Sequence, residues 1–289
     1  MAIPASGSTH KVGIWCYLYL LKSEADRHIP AGGLSIMPIF GFSNIDVTLV
    51  SGRRPDLLRA TMQSFQERVF RNFRINNFRV NIDPFGGQDP ELVECRSIVR
   101  DHFPQAIISE PSQPSYGQAV KSLWSSVTSD FVLHLEDDWI ALEPITPERV
   151  GGLFHAGTAC VKLNNAELRW DGRELRTRIE KVKFAGITVY YRRVPSFGVS
   201  PAFLTGEFVR GYSSLIDPDL DPEKQQRIHI NPSLAKYTSN FDCRVLAGLG
   251  QPEIIKDIGR EWREARGLEK VVSRGKSTWI SSGSPSSIP

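Results

Sequence analysis

Hydrophobic and polar positions follow two rhythms along this chain, and the rhythms alternate. Asn44 to Val50 repeats every second residue and is rich in β-branched side chains, which predicts a strand. Pro55 to Phe70 sets Leu57, Leu58, Met62, Phe65 and Val69 on one side at helical spacing, with Pro55 suited to a first turn. Asn77 to Asp83 predicts a second strand, and Pro90 to His102 a helix with Leu92, Val93, Cys95, Ile98 and Val99 available for packing. Ala106 to Ser109 is a short third strand. Gln118 to Val127 is a helix carrying Ala119, Val120, Leu123 and Trp124, and Phe131 to Leu135 is a strand that is apolar except for His134. Strands and helices in this order predict an α/β fold, with a mainly parallel sheet covered by helices on both faces.

After the fourth strand the rhythm is less regular. Thr158 to Leu163 and Ile187 to Tyr191 predict strands, Ser196 to Leu204 a short strand and turn, and Thr205 to Gly211 a helix. A further helix is expected from Pro222, a strand or short helix within Tyr237 to Leu249, and, after the segment Asp257 to Arg263, a charged helical run to Lys270. Glu167 to Lys183 is dense in charge and reads as a solvated helix or loop face. From Ser273 onward the chain is rich in Ser, Gly and Pro, which predicts a mobile tail. The expected organisation is an N-terminal extension over 1–43, two halves of one domain over 44–140 and 141–270, and a flexible tail over 271–289.

Composition narrows the class. The chain has 289 residues, 40% apolar and 23% charged, which is ordinary for a globular protein. A net charge of +3 is too small to imply nucleic acid as a partner. Cys16, Cys95, Cys160 and Cys243 lie far apart with no C-x-x-C pair, which fits reduced thiols in a cytoplasmic protein. Val12 to Leu21 is too short to span a bilayer and precedes no clean signal-cleavage site. Met37 offers an alternative start that would make residues 1–36 a non-native leader. No internal repeat, P-loop or Rossmann glycine fingerprint is present.

The candidate chemistry sits where the fourth strand ends, in Glu136, Asp137 and Asp138. Open α/β sheets bind ligands outside the carboxyl ends of their strands. Three adjacent carboxylates repel one another unless a cation neutralises them, and Mg²⁺ or Mn²⁺ commonly bridges carboxylate to phosphate. The same residues are compatible with a plain acidic turn. The turn Ser51-Gly52-Arg53-Arg54, after the first strand and before a helix, could seat a nucleotide, but taken alone it reads first as an ordinary βα unit. A second acidic cluster, Asp217, Asp219, Asp221 and Glu223, lies in a Pro-broken loop that leads into the expected helix from Pro222. His134, inside a strand, reads as a hydrogen-bonded core histidine.

In this order and these motifs, residues 44–270 resemble nucleotide-sugar-dependent glycosyltransferases of the GT-A fold, especially the large bacterial inverting family. Glu136-Asp137-Asp138 stands where that family carries its D-x-D motif, and Tyr116-Gly117-Gln118-Ala119-Val120-Lys121 resembles the helix before it. The resemblance implies a nucleotide-sugar-binding half over 44–140 and an acceptor-binding half of mixed strands over 141–270. It implies a divalent ion, Mn²⁺ or Mg²⁺, held by Asp138 with Glu136 and Asp257; Asp257 also reads as a helix-start residue. Donor contacts are implied for Val50, Ser51, Gly52, Arg53, Asp83, Gly117, Lys121, Glu136, Asp137 and Arg260. Arg54, Arg263 and Trp262 are further candidates near the diphosphate. Trp139 and Trp170 read as packing residues or acceptor-stacking ones. Glu223, then Asp221, is the implied general base of an inverting transfer to a hydroxyl of a glycan or glycolipid. The implied membrane contact is at most peripheral. The competing expectations are a nucleotidyltransferase that makes nucleotide sugars and a non-catalytic nucleotide- or sugar-binding module.

Overall fold

β1 (Asn44–Ser51) is the middle of the parallel half, and its two faces explain the layering. Ile45, Val47 and Leu49 point to one side, while Val50 points to the other. In this computed structural model the described residues are 42–163, 175–184, 187–247, 251–273 and 275–281. The expectations for the extension before residue 42, for Trp170 and for the last eight residues lie outside them.

The parallel half is built from β1, β2 (Arg74–Ile82), β3 (Ile107–Ser109) and β4 (Phe131–Glu136), in the order β3-β2-β1-β4. The first side is covered by α1 (Pro55–Arg68) and α2 (Asp89–His102), through Leu58, Met62, Phe65, Cys95, Ile98 and Val99. The other side is covered by α3 (Tyr116–Ser125) and by α5 below. Pro55 opens α1, a Gln88–Glu91 capping box opens α2, and the Ser115 hydroxyl accepts the Gln118 N–H to open α3.

Beyond β4 come β5 (Trp139–Ala141), α4 (Pro147–Gly151) and β6 (Thr158–Lys162), then β7 (Thr177–Phe184) and β8 (Ile187–Pro195). They are followed by β9 (Ala202–Thr205), α5 (Gly206–Leu215), α6 (Pro232–Thr238), β10 (Asp242–Val245), β11 (Ile255–Asp257) and α7 (Gly259–Glu264). The last elements are β12 (Leu268–Ser273) and β13 (Lys276–Ser281). β9 lies antiparallel between β4 and β6, and β10 continues parallel beside β6, which completes a seven-stranded, mainly parallel sheet. Phe208, Val209 and Tyr212 of α5 pack with Val120, Leu123 and Trp124 of α3.

Four expectations are corrected. The described end of the charged segment is a strand over Thr177–Phe184, held by its pairing with β8. No helix begins at Pro222; Asp221 accepts the N–H groups of Glu223 and Lys224 and tightens the chain into a 3₁₀ turn over Lys224–Gln226. The helical run expected after Arg263 does not form: the helix there is Gly259–Glu264, and Leu268–Ser273 is a strand. Residues 275–281 do not form a mobile tail; Lys276–Ser281 pairs antiparallel with β12.

Two buried polar side chains inside the sheet find partners, although the Nε2 of the second, His134, has none among the described residues. Asp46 is fully buried and accepts hydrogen bonds from Asn77, Thr128 and Ser129. His134 is also fully buried; its Nδ1 accepts the Trp124 indole N–H at 3.1 Å and lies 2.9 Å from the Thr48 hydroxyl. Burial, and then nearby Lys162, pushes this imidazole down to about 3. Between that value and the ordinary 6.5 the unfolded chain binds a proton that the folded chain refuses. Stability therefore falls as the pH drops below about 6.5, by about 1.4 kcal/mol per pH unit for this group. Urea unfolding of wild type and His134→Asn at several pH values between 4 and 7 checks this. The wild type is expected to lose more stability on acidification than the variant, and parallel curves would refute it.

Candidate functional site

The carboxyl ends of β1 and β4 meet where the strand order reverses, β2 lying to one side of β1 and β4 to the other. That is the position at which an open α/β sheet leaves a crevice. A cleft of about 560 Å³ opens there. Its floor is Val50, Ser51, Gly52, Glu136, Asp137 and Asp138. One wall holds Asp83, Phe85, Ser115 and Tyr116; a second holds Val199, Ser200, Asp221 and Glu223; a third holds Arg263, Lys270, Ser277, Thr278 and Trp279.

The three consecutive carboxylates have different surroundings. Glu136 accepts the Tyr116 hydroxyl at 2.8 Å and the Trp139 indole N–H at 3.2 Å. Burial, reinforced by Asp138, pushes its carboxyl up to about 8. Asp137 is buried and fully engaged: it accepts from Ser51, from the Gly52 backbone and from two nitrogens of Arg54. Its carboxylate fixes the turn after β1 and borders the cleft. Asp138 lies 3.3 Å from Arg54 and 3.0 Å from Arg263. Burial outweighs these two cations and lifts its carboxyl to about 6.

Arg54 is the buried cation of the site. Burial works against its charge, but Asp137 and then Asp138 outweigh that and bind its proton more tightly than water does. Its guanidinium lies 5.3 Å from the Trp262 ring and 5.7 Å from the Phe85 ring, and Arg263 lies 5.5 Å from Trp279. These faces shield the cations from water and add attraction of their own.

On the second wall Glu223 accepts the Val199 backbone N–H at 3.0 Å, and its side chain stays partly open to the cleft. A methyl on Gly198 would come within 2.8 Å of the Glu223 carboxylate and 2.9 Å of the Lys162 ammonium. Glycine there lets these two groups approach, while Lys162 is held by Ser200. Asp221 differs. It is buried, accepts from the backbone of Glu223 and Lys224, and is bound by Ser277 and, at 3.0 Å, by Lys270. Burial would raise its carboxyl, but Lys270 and Ser277 hold it below the ordinary carboxylate value. Of the two acids proposed from sequence, Glu223 has a carboxylate available to a ligand and Asp221 has its carboxylate committed.

Val50, Ser51, Gly52, Asp83, Glu136, Asp137, Asp138, Asp221 and Glu223 thus line one cleft. Five other expected contacts do not. Arg53 points outward to Asp89 at 2.8 Å, and its neighbour Arg54 turns in. Lys121 donates to the Ile216 carbonyl and ties α3 to the chain after α5. Gly117 is required by the close approach of the Pro218 and Leu220 carbonyls, which leaves no room for a side chain. Asp257 accepts the Gly259 and Arg260 backbone N–H groups at the start of α7 and pairs with Arg263. Arg260 is exposed. Trp139 is buried and serves packing.

Tyr116, Ser200, Lys270 and Trp279 border the cleft unforeseen. Tyr116 had a usable signal, since it starts the helix that runs back to β4 and so lies at the same end of the sheet as Glu136. Lys270 and Trp279 had none nearby; their positions come from pairing in the last hairpin.

Glu136 and Asp138 are hard oxygen donors of the kind Mg²⁺ or Mn²⁺ takes. Among the described residues no group of three or more His, Cys, Asp or Glu side chains is arranged to hold a metal by itself. One or two carboxylates is nonetheless the usual protein share when phosphate oxygens and water complete the shell. The raised proton affinity of both acids marks negative charge that a cation would relieve. The donor set fits an ion shared with a phosphate-bearing ligand.

No family model matches the chain, and no curated protein matches it. Solved structures with a similar chain path include a mannosyltransferase from Pyrobaculum calidifontis in complex with GDP-Man and Mn²⁺, at 11% identity and TM-score 0.48. That likeness covers 81% of this chain and 62% of the other. GalNAc-T7 with UDP, GalNAc and Mn²⁺ is similar at 11% identity and TM-score 0.48, over 70% of this chain and 41% of that one. TarS of S. aureus is similar at 11% identity and TM-score 0.44, over 70% of this chain and 35% of its own. This chain therefore spans less than two thirds of the length of each. Among the described residues no helix is long and apolar enough to cross a membrane.

Proposed function

We propose that the protein is a glycosyltransferase that moves a sugar from a nucleoside-diphosphate donor to a hydroxyl of a glycan or glycolipid, with inversion and with a divalent ion. The observation that carries this reading is one cleft with an acidic floor at the β1/β4 crevice, a carboxylate on the second wall and cations on the third. The raised proton affinity of Glu136 and Asp138 supports the part given to the ion.

In this mechanism Asp138 and Glu136 are the residues that would hold the ion beside the donor diphosphate. When bound, the ion neutralises charge gathering on the leaving phosphate oxygen. Asp83 and Ser115 border the place for the nucleoside. Arg263 and Lys270 supply fixed positive charge beside the diphosphate. Glu223, oriented by the Val199 N–H, takes the proton from the acceptor hydroxyl as its oxygen bonds to the anomeric carbon. The bond from that carbon to the diphosphate breaks, and the nucleoside diphosphate leaves.

A thermal-shift series with UDP-, GDP-, CMP- and dTDP-sugars, with and without Mn²⁺, tests this. A donor at a hundredfold excess over its dissociation constant is expected to add about 2.7 kcal/mol of stability. The shift should require Mn²⁺ and should vanish in Asp138→Asn. No metal-dependent shift with any donor would overturn the proposal.

A further inference from the structure

We infer that the β7–β8 hairpin is a docking surface for an anionic lipid bilayer. The two strands form their own two-stranded sheet, separate from the seven-stranded one. Isolated ribbons of this kind are marginal in water, and exposed ones are normally blunted with charge rather than dressed with large apolar groups. Here Ile179, Ile187 and Tyr191 are 61%, 71% and 62% exposed, and Val189 and Tyr190 are exposed beside them.

Two features identify the occupant. The first is that each face of the ribbon carries apolar groups beside charged ones, with Glu180 opposite Arg192 on the second face. Opposed residues share a face, so Tyr191 and Lys181 stand on one side with Ile179 and Arg193, while Val182 and Tyr190 stand on the other. A partner protein or a second copy covers one face of a ribbon; immersion in a headgroup layer covers both. The second feature is the order along β8. From its far end inward come Ile187, Val189, Tyr190, Tyr191, Arg192 and Arg193, before the buried Val194. Along β8, apart from Thr188, apolar groups followed by tyrosines and then by cations match the sequence of hydrocarbon, interface and phosphate layers in a bilayer, while on β7 Lys181 stands level with Tyr191 and Lys183 with Thr188. Residues 176–193 carry six Lys or Arg and one carboxylate, Glu180, which complements anionic headgroups.

The hairpin also stands beside the wall that carries Glu223. Arg178 at its base donates to the Gln226 carbonyl, and Gln226 bonds the backbone of Phe197, two residues before the Val199 N–H that holds Glu223. A bilayer bound to the hairpin would therefore lie on the side of the cleft where the acceptor is expected. The docking itself does not depend on the enzymatic reading.

Sedimentation of the full chain with vesicles tests it, using phosphatidylcholine alone and phosphatidylcholine mixed with phosphatidylglycerol. The chain is expected to bind the mixed vesicles at low salt and to release at high salt. Lys181→Glu with Arg193→Glu should weaken partitioning roughly 25-fold or more, at roughly fivefold for each charge near the surface. Ile187→Ser with Tyr191→Ser should weaken it as well, with unchanged thermal melting showing that each variant folds. Failure of the wild type to bind mixed vesicles, or equal binding by folded variants, would overturn the inference. So would a dimer that the Ile187/Tyr191 variant loses, which would assign the surface to a second copy. Because vesicle binding is read without donor or metal, its failure is distinct from failure of the glycosyltransferase proposal.

Discussion

Replacing Arg54 by leucine is expected to lower the unfolding free energy by about 3–5 kcal/mol, the cost of leaving a buried carboxylate without its counter-charge. Arg54 is 8% exposed and Asp137 1%, so water cannot take the place of the lost partner. Asp137 would keep its bonds from Ser51 and the Gly52 backbone but would face Asp138 uncompensated. The double variant Arg54→Leu/Asp137→Asn is expected to regain about half of the loss, because neutralising the remaining partner removes most of the penalty. Urea denaturation of the wild type, the single variants and the double variant closes the cycle. A single-variant loss below about 1 kcal/mol would mean that the pair is effectively solvated. This test stands whatever the cleft binds.

The second large effect is on turnover. Glu223→Gln keeps the side chain's size and its bond from the Val199 N–H but removes the group that accepts a proton. Under the proposed mechanism kcat is expected to fall by about 10²–10⁴, the usual worth of a positioned base. Donor stabilisation in the thermal-shift assay should stay close to wild type. Asp221→Asn should behave differently, loosening the Lys270 and Ser277 contacts and so reducing stability and donor binding together. If Glu223→Gln turned over at the wild-type rate with a donor that demonstrably binds, the base would have to be assigned elsewhere.

The first four strands and three helices were legible in the chain because each buries a face, and burial writes a period of two or of 3.6 into the residues. The carboxylate cluster was legible for the same reason: a hydrophobic strand must end at a rim, and the residues that end this one are Glu136 to Asp138. The parts that stayed hidden are non-local. Arg53 and Arg54 are adjacent and chemically alike, and only the turn geometry decides that the second meets Asp137. Lys121 resembled a ligand contact until the chain after α5 supplied the Ile216 carbonyl. Half of the β7–β8 ribbon was legible, Ile187 to Tyr191 as a strand, while β7 was not, because it covers no core and so carries no buried stripe among its charges. The last hairpin stayed hidden, its first strand expected as helix and its second as tail, because its order comes from strand pairing and from Asp221, which is distant in the chain.

The place of β9 has a consequence for how the chain is made. On a ribosome β4 emerges well before Ala202–Thr205, so its outer edge, from Phe131 to His134, waits unpaired with hydrophobic groups on both sides. Nascent chains in that condition are prone to edge-to-edge association, and the delay lengthens when translation slows between the two segments. Yield during overproduction should therefore respond to chaperone supply and growth temperature more than the finished sheet's solidity would suggest.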